Sequence, residues 1–280
     1  GIADVTVSGF EFNGITSGTT GAIFVNNNTE NLAITNNRII DCSDGIRTET
    51  INLPGAKNIT VTGNFIKNVT NQFGSGIVIG NPYGTSIISN NKIDLGVNGV
   101  AEGFSGIQAP SATGTTISGN DISNTTDFGI QVDGTSGNVT IENNTITNTN
   151  TVNSQGDGAI TLGASNQFVE PITIKNNKLN NSFNGVAIKD GTDISGDFIT
   201  VTENDLSNNP SLAIYSGASA GTLDARCNWF GTTNVTDINN NVSSGGVNIF
   251  SYLENGTDNN TSLLGFQPVP NNCTGLGPVN

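Results

Sequence analysis

The chain has 280 residues, with only 9 Lys or Arg against 23 Asp or Glu, a net charge of −14, no His, no Met and three Cys. That charge repels phosphate, which argues against nucleic acid as a partner, and no run approaches the roughly 20 apolar residues of a helical membrane span. Without His, Ser-His-Asp and Cys-His nucleophilic machinery and any His-bearing zinc site are excluded.

Hydrophobic residues make up 34 %, while Gly contributes 36 residues and Asn 45. Such a composition borders on disorder, but disorder normally comes with dense charge, and charged residues are only 11 % here. Periodicity decides. From the N-terminus, VSGFEF (7–12) is followed by ITNNRI (34–39), VTGNFI (61–66), ISNNKI (88–93), ISGNDI (117–122), IENNTI (141–146), IKNNKL (174–179), VTENDL (201–206) and ARCNWF (225–230). The shared Asn stands at 37, 64, 91, 120, 144, 177, 204 and 228, a repeat of about 27 residues. A repeat of that length predicts stacked units rather than one central core.

Within each copy, apolar and polar residues alternate, which is strand geometry. Asn37, Asn64, Asn91, Asn120, Asn144, Asn177, Asn204 and Asn228 are expected at a bend between two strands, taking up positive φ and bonding amide to amide along the stack. A further strand follows in every copy: AIFV, GIRT, GIVI, GIQA, GIQV, AITL, GVAI and SLAI. Its predicted inward pairs include Ile107/Ala109 and Leu212/Ile214, which leave Gln108, Gln131, Ala187 and Ala213 outward. Nothing in the pattern is helical. Phe73, Phe104, Phe128 and Phe183, each just before the Gly that opens this strand, are expected to form an internal aromatic stack.

These columns resemble the right-handed parallel β-helix repeat of pectate-lyase-like folds. The resemblance implies an all-β solenoid of about nine coils over residues 1–230. The phrase Asn228-Trp229-Phe230-Gly231 is similar to the closing motif of bacterial and archaeal extracellular β-helix proteins, and residues 231–280 read as a C-terminal cap. Ile249, Tyr252, Leu253, Leu263, Leu264 and Phe266 are expected to cover the last apolar row. Cys227 and Cys273 are expected to pin that tail by a disulfide in an oxidising compartment, with Cys42 left as a buried thiol.

The outer face of the further strand is where related enzymes keep their acids and bases. Here no adjacent coils supply two carboxylates among the outward positions, and Arg47 with Glu49 and Lys189 with Asp133 are the only loose charge pairs. Phe104, Gln108, Gln131, Asp133 and Lys189 are candidate ligand contacts, walled by the loops 94–105 and 147–157. Asp190, Asp193 and Asp197, on a short Gly-containing loop, are candidate calcium ligands; no other cofactor is expected.

Three functions stay open. The preferred one is a non-catalytic structural or adhesive module at the cell surface, whose partners are other surface-protein segments or copies of itself joined end to end across the open N-terminal row. The alternatives are a polysaccharide-binding module, with or without calcium, and a polysaccharide lyase or hydrolase.

Overall fold

The computed structural model describes residues 4–16, 21–25, 29–48, 57–71, 73–97, 100–101, 103–134, 136–149, 156–163, 168, 171–196 and 199–276. The alternation read from each repeat becomes three short strands per coil, stacked into three parallel sheets of ten, seven and eight strands. In the first sheet Val7, Ile34, Val61, Ile88, Ile117, Ile141, Ile174 and Val201 stand in direct register. In the second, the file runs Phe12, Ile39, Ile66, Ile93, Ile122, Ile146, Leu179. Ile34 through Val201 and Ile39 through Leu179 are buried, and each such side chain contributes about 1.5–3 kcal/mol. No single coil encloses its aliphatics, so the coils are stable only as a stack.

The Asn ladder forms as expected, with one correction. Each ladder Asn is buried, and from Asn64 onward its Oδ1 accepts both the backbone N–H and the Nδ2 of the equivalent Asn one coil earlier, while Asn37 Oδ1 accepts the Phe10 amide. Its own Nδ2 also donates to a first-sheet carbonyl of the preceding coil, as Asn120 does to Ile88 O at 3.0 Å. The positive φ falls one residue earlier, at Asn36, Gly63, Asn90, Gly119, Asn143, Asn176, Glu203 and Cys227. The ladder Asn must aim its side chain inward along the stack, and the left-handed residue before it makes the turn that allows this. Two further bends use left-handed Asn residues with shorter ladders, such as Asn58 Nδ2 to Asn31 Oδ1 at 3.0 Å and Asn68 Nδ2 to Asp41 Oδ1 at 2.8 Å. Three bends per coil account for much of the Asn content.

In the third sheet the file is Ile23, Ile46, Ile77, Ile107, Ile130, Ile160, Val186 and Ile214. The last coil departs from the sequence reading by two residues. Ile214 sits opposite Val186 rather than Ile188, so Tyr215 takes the outward place assigned to Ala213, and Ala213 is buried.

The tail contains the one helix among the described residues, Val235–Asn240, which the strand pattern did not foretell. Asn234 caps it by accepting from the Thr236 and Asp237 amides, and it buries Ile238. Val242 then bridges Ile214, closing a ninth coil, and Val247–Asn248 adds a tenth strand to the first sheet. Cys227 and Cys273 form the expected disulfide, with Cα atoms 5.2 Å apart. Cys42 is a buried free thiol donating to the Ile40 carbonyl at 3.2 Å.

The tail does more than cap. Ile249, Tyr252 and Leu253 are buried, but Leu263 and Leu264 are exposed. Phe266 turns back along the outside of the stack, with its amide donating to Asn176 O at 2.8 Å while Gly265 N donates to Thr145 Oγ1 at 2.9 Å. A Cβ at Gly265 would lie 2.3 Å from Asn176 O, so only Gly permits this approach.

Candidate functional site

Alternation along the third sheet places Gln108, Gln131 and Thr161 in register on the opposite face of the strands from Ile107, Ile130 and Ile160. The Gln108 amide donates to Ser105 Oγ at 3.0 Å and the Gln131 amide to Asp133 Oδ2 at 3.2 Å, so both carboxamides are held by their own strand ends. The expected internal aromatic stack is not internal. Phe73 is 67 % exposed and meets Phe104 edge-on at 6.3 Å; Phe104 is half-buried and meets the buried Phe128 edge-on at 5.4 Å. The inward positions two to four residues on are filled by Ile77, Ile107 and Ile130, and the Gly between, as at Gly106 and Gly129, lies against the next coil's backbone. Rings at the preceding positions therefore pack outside the strands.

Phe104, Gln108, Gln131 and Asp133 thus lie along adjacent coils of one face. Lys189 is held beneath it: its Nζ is 3.0 Å from Asp157 Oδ1 and lies over the Phe128 ring, 4.6 Å from the centroid. The ion pair anticipated between Lys189 and Asp133 is replaced by this closer one. Arg47 likewise pairs with the buried Asp44, at 3.5 Å, and Glu49 lies outside the described residues. Of the walls, Gly96–Val97 pairs antiparallel with Val100–Ala101 in the first loop, whereas residues 150–155 of the second lie outside the described set.

Two functional candidates escaped the sequence reading. Asp127 and Asp157 are both buried, hydrogen-bonded side chain to side chain, and drawn from adjacent coils. The pair lies outside the outward positions, which themselves supply no two carboxylates from adjacent coils. Each stands three residues before an inward Ile, Ile130 or Ile160, and these are in register. Aligning DFGI (127–130) on DGAI (157–160) puts the two carboxylates at the same place in adjacent coils, a signal that the outward positions after the Ile do not carry.

Burial above all, then the adjacent Asp157 carboxylate and the hydrogen bond to it, push the Asp127 carboxyl up to about 7 against the opposing pull of Lys189. Burial also raises Asp133, opposed by Lys189, and Asp44, opposed by the Ser75 amide and Arg47. A raised carboxyl means that the folded chain keeps a proton the unfolded chain releases. The associated stability is complete below the ordinary value of 3.8 and is lost as pH rises through about 7. We therefore expect the urea midpoint to fall between pH 4 and 7, and this slope to flatten in Asp127→Asn; an unchanged slope in that variant would contradict the assignment.

Of the candidate calcium ligands, Asp190 accepts the Tyr215 hydroxyl at 2.5 Å, a bond that lifts that phenol to about 12. Asp193 accepts the Ser195 amide at 2.9 Å in an exposed turn, which holds its carboxyl below the usual range. Asp197 lies outside the described residues. Among the described residues no three His, Cys, Asp or Glu side chains gather as a metal site, and no helix is long and apolar enough to cross a membrane.

Residues 97–199 match the family described as right handed beta helix region. Neither the curated proteins nor the solved structures gave a match. The matched stretch lies at the centre of the parallel stack, whose sheets continue on both sides of it, and the fold is a right-handed parallel β-helix.

Proposed function

We propose that this protein is a non-catalytic, extracellular adhesive module of a bacterial or archaeal surface, which holds polysaccharide on the outer face of its third sheet. The observation that carries this reading is the strip formed by Phe73, Phe104, Gln108, Gln131 and Asp133 on neighbouring coils. Exposed ring surface next to fixed carboxamide and carboxylate groups suits a sugar, whose apolar face stacks on a ring while its hydroxyls bond to planar polar groups. Parallel coils repeat those groups along the stack, as a polymer of sugars repeats its hydroxyls. The disulfide fits an oxidising compartment.

Hydrolysis is disfavoured by the same geometry. Glycosidases separate their two carboxyls by about 5–9.5 Å to admit the sugar or a water, whereas Asp127 and Asp157 are in direct hydrogen-bond contact and buried. The test is retention on immobilised neutral and acidic polysaccharides, with and without calcium. At least one should retain the protein, and Gln131→Ala combined with Asp133→Ala should weaken that retention about tenfold. A blank against every polysaccharide in both conditions, or release of reducing or unsaturated ends, would overturn the reading.

A further inference from the structure

Four lysine–carboxylate pairs occur among the described residues, and one is unlike the rest. Lys92 and Asp121 approach to 2.9 Å, but their side chains are 61 % and 32 % exposed; Lys57–Glu30 and Lys175–Glu142 are also partly solvated. Lys189 and Asp157, at 3.0 Å, are 28 % and 8 % exposed. This pair alone has an aromatic ring under the ammonium and a second buried carboxyl, Asp127, bonded to the first. Asp127 and Phe128 come from one coil, Asp157 from the next, and Lys189 from the coil beyond.

We infer that Lys189 and Asp157 condense into an intramolecular isopeptide bond that staples neighbouring coils, with Asp127 carrying the protons. The Lys189 ammonium passes one proton to the carboxyl pair, and the free amine attacks Cγ of the protonated Asp157. The new C–N bond forms as a C–O bond breaks, and Asp127 protonates the departing hydroxyl while taking a proton from the nitrogen. The three ammonium hydrogens and the one shared by the carboxyls end as one on the amide, two in the expelled water and one on Asp127. No oxidant, reductant or other co-reactant is consumed.

Three features favour the step. Nζ is already in contact with the carboxyl group, so it is positioned for an effectively unimolecular reaction. The buried carboxyl Asp127 holds a proton near neutral pH, so the pair is not doubly charged and Asp157 can act as an electrophile. Condensation also replaces two poorly solvated charges by one neutral amide, relieving the desolvation that opposes a buried ion pair. Nothing in this depends on sugar binding, and it is read by mass rather than by ligand retention.

The test is the intact mass of the reduced, denatured full chain, followed by proteolysis and peptide sequencing. The expected result is a chain lighter by one water, with a branched peptide joining the segments that carry Asp157 and Lys189. Lys189→Arg, which keeps the cation and cannot condense, should show the full sequence mass. Asp127→Asn, which keeps the shape and loses the proton carrier, should lower the linked fraction at least tenfold. A parent chain at full sequence mass overturns the proposal. So does a loss of water without the branch, which would mark a cyclic imide at Asp157-Gly158 instead.

Discussion

Replacing Asn144 by Ala is expected to cost about 3–6 kcal/mol, because it orphans several buried partners worth about 1–3 kcal/mol each. Asn144 Oδ1 accepts from the backbone N–H and the Nδ2 of Asn120, both at 2.9 Å. Its Nδ2 donates to Ile117 O at 3.0 Å and to Asn177 Oδ1 at 2.9 Å. Ala removes all four bonds and satisfies none of the groups left behind. Water cannot replace them, since Asn120, Asn144 and Asn177 are all fully buried. The damage also divides the ladder at its middle, where the coils on either side depend on each other for burial. Urea unfolding of the variant checks this. A loss below about 1 kcal/mol would mean that the ladder is a by-product of the bend and not a source of stability.

The second large effect belongs to the tail. Cys227 and Cys273 are 46 residues apart, and closing a loop of that length restricts the unfolded chain by about 4 kcal/mol in the chain-entropy account. Cys227→Ser with Cys273→Ser, or reduction of the parent, should lower the unfolding midpoint correspondingly. The loss should be felt first where the tail lies on the outside of the stack. Hydrogen exchange at the Gly265 and Phe266 amides, which bond to Thr145 Oγ1 and Asn176 O, should accelerate at least tenfold while the Asn120 amide stays protected. If those tail amides kept their protection after reduction, the burial of Phe266 and its backbone bonds would be holding the segment without the crosslink.

Much of the candidate site was legible as parts and not as an assembly. Gln108, Gln131 and Asp133 could be placed on one face because strand alternation is local and repeats faithfully through the middle coils. Lys189 could be placed on that side but not given its partner, because a long side chain reaches across coils and its nearest charge depends on how the coils nest. The Phe73–Phe104–Phe128 string was assigned inward on chemical grounds, and the Ile file left no room for it there. Tyr215 shows the limit most plainly. A two-residue offset in one coil sets Tyr215 rather than Ala213 opposite Ala187; a shift of two preserves the strand's alternation and changes only which residue stands at that level.

The sequence by itself determined the solenoid, its three-strand coil with an Asn at the first bend, the aliphatic files and the cysteine pair, because each rests on a residue type recurring at a fixed interval. Only the tertiary structure decided which residue of each bend turns left-handed, that Asp127 meets Asp157 beneath Lys189, and that the tail runs back to Asn176. Those features arise between coils of unequal length, where the loops set how one turn lies on the next and where side-chain reach brings together residues that no constant interval connects.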